Sequence, residues 1–187
     1  NLYRLDDPVE KLEDRDFDDL CFRIIKARDT GASVICSMGG HVIKSRLSRY
    51  IIEMMKNGTI THISGNGAVS IHDFELAYLG GTSEDVPTAI EDGSFGMWEE
   101  TGAMMNEAIK KGVELGMGYG ESLAVYIDQH PELFPYKDDC VLYQAYLNNV
   151  SATYHIALGT DIIHQHPGID GAALGEASLR DFRILAA

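Results

Sequence analysis

The stretch SVICSMGG at residues 33–40 decides the fold that this sequence predicts. Residues 33–38 are small, β-branched or apolar and predict a buried strand, which the turn-forming pair Gly39-Gly40 ends. Apolar side chains then recur at helical spacing and predict one continuous helix closed by Asn57-Gly58. The positions of that apolar stripe are Ile43, Leu47, Tyr50, Ile51, Met54 and Met55.

The same order of elements follows a second time. Residues 60–64 predict a strand, Gly65-Asn66-Gly67 a turn, and residues 71–79 a helix, while residues 151–158 predict a third strand. Strands that alternate with helices in this way form βαβ units around a parallel sheet. The predicted fold class is therefore α/β, a Rossmann-like open parallel sheet flanked by helices.

The remaining segments predict helices around this sheet. The charged residues 1–14, with Pro8, are interpreted as an arm or linker, and residues 15–187 as one α/β domain. The chain lacks an initiator Met and the final helix lacks a stop signal, so we expect a longer polypeptide and a domain incomplete at its C-terminus. The further predicted helices are 16–28, 85–91, 97–115, 122–129, one from Asp138 or Asp139 to Asn148, and a last one capped by Ser178.

Composition excludes several classes of partner. The 187 residues include 15 Lys and Arg against 29 Asp and Glu, a net charge of −14, which argues against nucleic acid. No window approaches 18 continuous apolar residues, so no membrane-spanning helix is predicted. Cys21, Cys36 and Cys140 have no metal-ligand spacing and predict free thiols in a reducing cytoplasm.

Ligands of an open parallel sheet bind at the carboxyl ends of the strands. Residues 38–41, 64–67 and 159–161 lie at such ends. The glycines there would let backbone approach an anion beside a helix N-terminus, and a plain tight turn explains them equally well.

Two further groups of side chains could carry chemistry. His72, Asp73 and Glu75 follow the second glycine turn, where acids could hold a cation or move a proton, or could simply favour the helix dipole. Asp161, His164 and His166, with Asp170 nearby, are residue types that bind Zn²⁺, although no further His or Cys stands at a telling spacing. A metal-dependent hydrolase, the function that this second group would imply, is a weak hypothesis.

Five segments together resemble the deoxyhypusine synthase family, in particular its bacterial synthase-like members. The resemblance implies a Rossmann-like sheet and covers roughly the N-terminal half of a family member. The segments are 34–44, 60–68, 72–75, 82–86 and 157–163.

The resemblance implies a function. It is the NAD-dependent transfer of an aminobutyl group from a polyamine such as spermidine to an acceptor amine or a protein lysine. Active sites would lie at the interfaces of a cytoplasmic homotetramer. The alternative is a non-catalytic NAD- or nucleotide-binding member that acts as a binding or assembly module.

The resemblance also implies site residues. The catalytic lysine of the family lies in a C-terminal half that this chain does not contain, so no catalytic residue is assigned. Asp73, Glu75 and Asp161 are expected to share one polyamine cleft, with His72 a further substrate contact and His41 on its NAD side. The implied NAD-binding residues are Gly40, His41, Val42, Ile43, Lys44, Gly65, Asn66, Gly67, His72 and Asp161.

Overall fold

The structure, a computed structural model, describes residues 3–83 and 85–187. Asn1 and Leu2 of the predicted arm, and Glu84 of one resembling segment, lie outside the described residues. Residues 3–14 form neither helix nor strand. The N-terminal half contains α1 (Arg15–Asp29), β1 (Ile35–Met38), α2 (His41–Lys44), α3 (Ser48–Lys56), β2 (His62–Gly65), α4 (Gly67–Leu79) and α5 (Val86–Asp92).

The C-terminal half is mainly helical. Its elements are α6 (Glu99–Glu114), α7 (Tyr119–Gln129), a 3-10 turn (Lys137–Asp139), α8 (Val141–Leu147), β3 (Ser151–Tyr154), a short 3-10 helix (Ile162–Gln165) and α9 (Gly171–Ala186).

Within the described residues, three parallel strands form one sheet in the order β1-β2-β3. Ile35 pairs with His62, which in turn pairs with Ser151. The α/β class and the parallel sheet are thereby confirmed, as is the turn between β1 and α2 at Gly39-Gly40.

The prediction that β1 is buried is wrong. β1 begins at Ile35 rather than Ser33, and Ile35 and Ser37 are exposed. The reason is position: β1 pairs with β2 alone, so it is an edge strand of the described sheet. A β-branched, apolar run does not distinguish an edge strand from a central one.

The helix predicted after β1 is broken in two. α2 ends at Lys44, and Arg46 takes a left-handed conformation with φ 67° before α3 begins at Ser48. A non-glycine residue in that region is strained, and the i to i−4 hydrogen bonds are interrupted there. Leu47, part of the predicted stripe, is consequently exposed.

Three predicted boundaries in the later elements are also wrong. α4 begins at Gly67 because the Asn66 side chain accepts a hydrogen bond from Val69 N–H. β3 ends at Tyr154 instead of Leu158. α9 begins at Gly171, where Asp170 accepts two backbone N–H groups, so Ser178 lies inside that helix and caps nothing.

α8 is capped from a distance. Cys140, rather than Asp138 or Asp139, is its N-cap residue, and it makes no side-chain cap bond. The buried Asp73 carboxylate, from α4, instead accepts the N–H groups of Val141 at 3.0 Å and Leu142 at 2.6 Å.

Helices α7 and α9 close the outer edge of β3. The buried Asp181 carboxylate of α9 accepts hydrogen bonds from Tyr154 N–H at 2.7 Å and Gly120 N–H at 3.0 Å. Ser178 accepts the next free N–H, from Ile156, at 2.9 Å. A side chain at Gly120 would overlap the carbonyl oxygen of Ala152, so α7 lies directly against the strand.

Two buried carboxyls make stability depend on pH. Burial raises the pKa of Asp181 to about 7 and that of Asp73 to about 6, against the lowering effect of their hydrogen bonds. Unfolded aspartate titrates near 3.9, so the folded state binds more protons from about pH 4 up to these raised values. Stability therefore falls as pH rises through that window.

We expect the free energy of unfolding to fall by roughly 2–4 kcal/mol between about pH 5 and pH 8. Urea denaturation across that range measures it. Asp181→Asn, which keeps an acceptor and removes the ionisation, should flatten the dependence. A parent stability that rises over the interval, or a variant with the parent's slope, would contradict the assignment.

Candidate functional site

A cleft of about 240 Å³ lies where the segments that follow the three strands meet. We call it the strand-end cleft. Lys44 follows β1, residues 68–75 follow β2, and residues 160–162 follow β3. Its polar lining is Lys44, His72, Glu75, Thr82, Ser83, Thr160 and Asp161, and its larger apolar side chains are Ile71, Val86, Phe95 and Ile162.

Glu75 is a buried carboxylate at the wall of this cleft. Its Oε1 accepts hydrogen bonds from the hydroxyls of Ser83 and, at 3.3 Å, Thr101, and its Oε2 accepts the Ser83 N–H at 3.3 Å. Within the described residues, neither Lys nor Arg pairs with it. A buried carboxylate is costly unless hydrogen-bonded, so these three donors explain how it is tolerated.

His72 lies one helical turn before Glu75 on the same face of α4. Its Nδ1 is 3.7 Å from Oε2 of Glu75, too far for a hydrogen bond, and is buried with no partner among the described residues. Gly40 packs against it: a Cβ there would lie 3.0 Å from Cδ2 of His72. The imidazole therefore lines the cleft while this buried nitrogen makes no hydrogen bond within the described residues.

Asp161 is held above the start of α4. Its carboxylate lies so close to Gly67 that a side chain at that position would overlap it. Burial raises the pKa of Asp161, and the neighbouring His164 lowers it.

His164 hydrogen-bonds to the backbone at and just before Asp161. Its Nδ1 accepts the N–H groups of Gly159 at 3.0 Å and Asp161 at 3.2 Å. In the neutral imidazole the proton is therefore on Nε2, which lies 3.8 Å from Oδ2 of Asp161. The side chain is 9% exposed, and this Nε2 has no hydrogen-bond partner in the described part of the chain.

A second cavity of about 240 Å³ adjoins the first and shares Lys44, His72 and Thr82 with it. Arg46 and the backbone of Gly80-Gly81 complete its polar wall. Together the two volumes fall within the ~300–1,000 Å³ typical of ligand pockets. Glu75 and Asp161 line only the first cavity, Arg46 lines only the second, and Lys44 lines both, so the joined cleft runs from an acidic end with apolar walls to a basic end.

A third cavity, of about 330 Å³, lies beside β3 and is lined in part by Gly120, Tyr146 and Ile184. Its buried carboxylate, Asp181, already accepts backbone N–H groups. The cavity also lies against the outer side of β3 rather than at the strand ends, where ligands of such sheets bind.

The structure brings together four of the predicted residues, Lys44, His72, Glu75 and Asp161, in the strand-end cleft. Asp73 is not among its lining residues, because its side chain caps α8 in the core. The expectation that Asp73 shares a cleft with Glu75 and Asp161 is therefore wrong.

The other predicted positions support the cleft from outside its polar lining. Ile43 is buried and reaches only the second cavity, while Val42 is half-buried. His41 is exposed and lines neither cavity. Gly40 and Asn66 are the N-cap residues of α2 and α4, Gly65 ends β2, and Gly67 begins α4.

Three polar residues of the joined cleft escaped prediction. Thr82 and Ser83 belong to the resembling segment 82–86 but were assigned no role in the site, although hydroxyls after the pair Gly80-Gly81 are a usable signal. Arg46 carries no sequence signal, because a left-handed arginine inside an apolar stripe cannot be read from the pattern.

The metal hypothesis finds no support in geometry. His166 turns away from His164 and places its Nε2 3.2 Å from Glu99. Among residues 3–83 and 85–187, no three His, Cys, Asp or Glu side chains are grouped to hold a metal ion.

Across the same residues, every helix is too short or too polar to cross a membrane.

No protein-family model and no curated protein matches the chain. Solved structures do match the chain. The apo structure of ArgZ, an arginine dihydrolase from the ornithine-ammonia cycle in cyanobacteria, has a TM-score of 0.50 and 16% identity over 92% of this chain. A conserved LOR/SDH-type protein from Methanococcus maripaludis S2 has a TM-score of 0.52 and 19% identity over 89%.

These structures share the fold with this chain, which spans 22% of the length of ArgZ and 47% of the LOR/SDH-type protein. A weaker match, with a TM-score of 0.47 and 14% identity over 89% of this chain and 23% of the other, is the ternary complex of AgrE with ornithine and NAD⁺.

The predicted membership in the deoxyhypusine synthase family is wrong. Solved structures that share its fold include those of ArgZ and the LOR/SDH-type protein. The assignment rested on short glycine turns at strand ends, which many parallel α/β folds need for the same geometric reason. Aminobutyl transfer from a polyamine depended on that membership and is withdrawn with it.

Proposed function

We propose that this chain is the NAD-binding part of an NAD-using enzyme and that the joined strand-end cleft holds the dinucleotide. NAD, when bound, supplies hydride transfer. The observation that carries the proposal is the division of the cleft into an acidic, apolar end and a basic end.

The acidic end suits a nucleoside. A ribose presents two hydroxyl donors, and the Asp161 carboxylate at the cleft wall can accept both. Ile71, Phe95 and Ile162 offer apolar surface to a flat ring. The His72 imidazole, partly exposed at the cleft wall, offers a further surface to the ligand.

The basic end suits the diphosphate. Lys44 and Arg46 lie at the second cavity, and neither forms an ion pair within the described residues. Gly80-Gly81 allows backbone to approach a phosphate closely. Arg46, which lines the second cavity, has a strained left-handed backbone. Strain of this kind clusters at functional sites.

We expect NAD⁺ to bind the full-length protein, and Asp161→Ala to weaken binding at least about tenfold by removing a charged acceptor of two hydrogen bonds. Arg46→Gly should also weaken binding, by a factor that shrinks at high salt, while leaving the protein as stable or slightly more stable. Isothermal titration calorimetry measures both effects.

Arg183→Gln is the charge-matched control, since Arg183 is exposed on α9, outside both cavities. It should bind NAD⁺ like the parent. The proposal fails if the parent does not bind NAD⁺, or if Asp161→Ala and Arg46→Gly both bind as tightly as the parent does.

A further inference from the structure

Helix α1 carries apolar side chains that the described residues leave uncovered. No residue of α1 is buried against any part of residues 3–83 and 85–187. Four large apolar side chains are between 44% and 64% exposed: Phe17, Leu20, Phe22 and Ile25.

An amphipathic helix obtains most of its stability from packing its apolar face. A 15-residue helix alone is marginal in water, so α1 requires a surface to pack on. β1 follows α1 directly after residues 30–34 and is an edge strand with Ile35 exposed. The uncovered helix and the open edge therefore adjoin in the chain.

The charges of α1 are divided between its two halves. The N-terminal part carries Asp14, Asp16, Asp18 and Asp19, interrupted by Arg15. The C-terminal part carries Arg23, Lys26 and Arg28, followed by Asp29. Arg23 bonds to Asp19 at 2.6 Å and Arg28 to Asp29 at 3.1 Å, both on exposed surface where such pairs contribute little and exchange readily.

We propose that α1 packs antiparallel against α1 of a second copy of this chain, about a twofold axis near the middle of the helix. An antiparallel pair places the acidic half of each helix beside the basic half of the other, and a parallel pair would place like charges together. A twofold interface must be complementary to itself, which this charge division provides. A foreign partner would not require that self-complementarity.

The association buries the side of each helix that carries Phe22 and Ile25, which are three residues apart; Leu20, two residues before Phe22, lies on the opposite side. Phe22 and Ile25 contribute most to it, because aromatic and aliphatic anchors dominate interfaces of this kind. The interface is independent of the strand-end cleft, so its presence or absence does not bear on NAD binding.

Sedimentation equilibrium of the full-length protein tests the proposal. The parent should have a mass that is an even multiple of its subunit. Phe22→Asp with Ile25→Asp should halve that mass while far-UV circular dichroism and NAD⁺ binding are retained. A monomeric parent, or a double variant with the parent's mass, would overturn the proposal.

A pair of charge variants tests the antiparallel arrangement. One carries Arg23→Glu, Lys26→Glu and Arg28→Glu, so that both halves of its α1 are predominantly acidic; the other carries Asp16→Lys, Asp18→Lys and Asp19→Lys, so that both halves are predominantly basic. Neither should self-associate through α1, and their mixture should form heterodimers in native mass spectrometry. Self-association of either variant as tight as the parent's, or failure of the mixture to associate, would overturn it.

Discussion

Asp181→Ala is expected to lower the free energy of unfolding by about 3–5 kcal/mol, because it removes a buried acceptor on which several backbone donors depend. Asp181 accepts the N–H groups of Gly120 and Tyr154, and that of Tyr119 bonds to it as well. Without the carboxyl these donors are buried and unpaired. The loss would loosen α7, α9 and β3 together.

Urea denaturation at about pH 6 measures this effect. Asp181→Asn is the matched control, since its amide oxygen can still accept from Gly120 and Tyr154 N–H; it should cost much less than the alanine variant. If the alanine variant loses less than about 1 kcal/mol, water or a rearranged side chain satisfies those donors and the role given to Asp181 is wrong.

Asp73→Ala should lower the free energy of unfolding by about 2–4 kcal/mol and leave NAD⁺ affinity unchanged. The carboxylate accepts N–H groups at the start of α8 and contacts Sγ of Cys140 at 3.4 Å. Alanine leaves the first turn of α8 without its acceptor, in the interior of the protein. The cleft does not include Asp73, so its ligand should not sense the change.

Asp161→Ala provides the opposite pattern and serves as the comparison. It should weaken NAD⁺ binding and cost less stability than Asp73→Ala, because it lies at the cleft wall rather than in the core. Both quantities come from denaturation and calorimetry on the same preparations. A weakened affinity in Asp73→Ala, at a temperature where it is fully folded, would return Asp73 to the site.

The parallel sheet was predictable because both β-turn-α repeats carry apolar strands that end at two glycines, Gly39-Gly40 in the first and Gly65-Asn66-Gly67 in the second. The break at Arg46 was not, since nothing in the apolar stripe from Ile43 to Met55 marks a left-handed residue. The start of α8 was equally hidden. Its cap is Asp73, 67 residues before Cys140, and only the tertiary fold brings the two together.

The site was predictable in part. His72 and Glu75 are three residues apart on α4 and therefore share one face of the helix. Asp73 lies on another face, so helical spacing alone distinguishes it from the other two. Asp161 and Lys44 reach the same cleft only because parallel strands bring their connections to one edge. Whether an acidic side chain lies at a cleft or in the core depends on neighbours that are remote in sequence.

Because Asp181, Ser178 and Gly120 close the outer edge of β3, a further strand can join this sheet more readily beside β1 than beside β3. A strand from any source needs free N–H and C=O groups to pair with. Within the described residues, the Tyr154 and Ile156 N–H groups in and just after β3 are already bonded, and the Ala152 carbonyl is covered by Gly120. In the part of the chain that the structure describes, no strand pairs with the outer edge of β1, and Ile35 on it is exposed. Any added strand, including the first chain of an aggregate, would therefore be recruited beside β1, and a charged residue at the exposed Ser37 is where the fold could be protected against it.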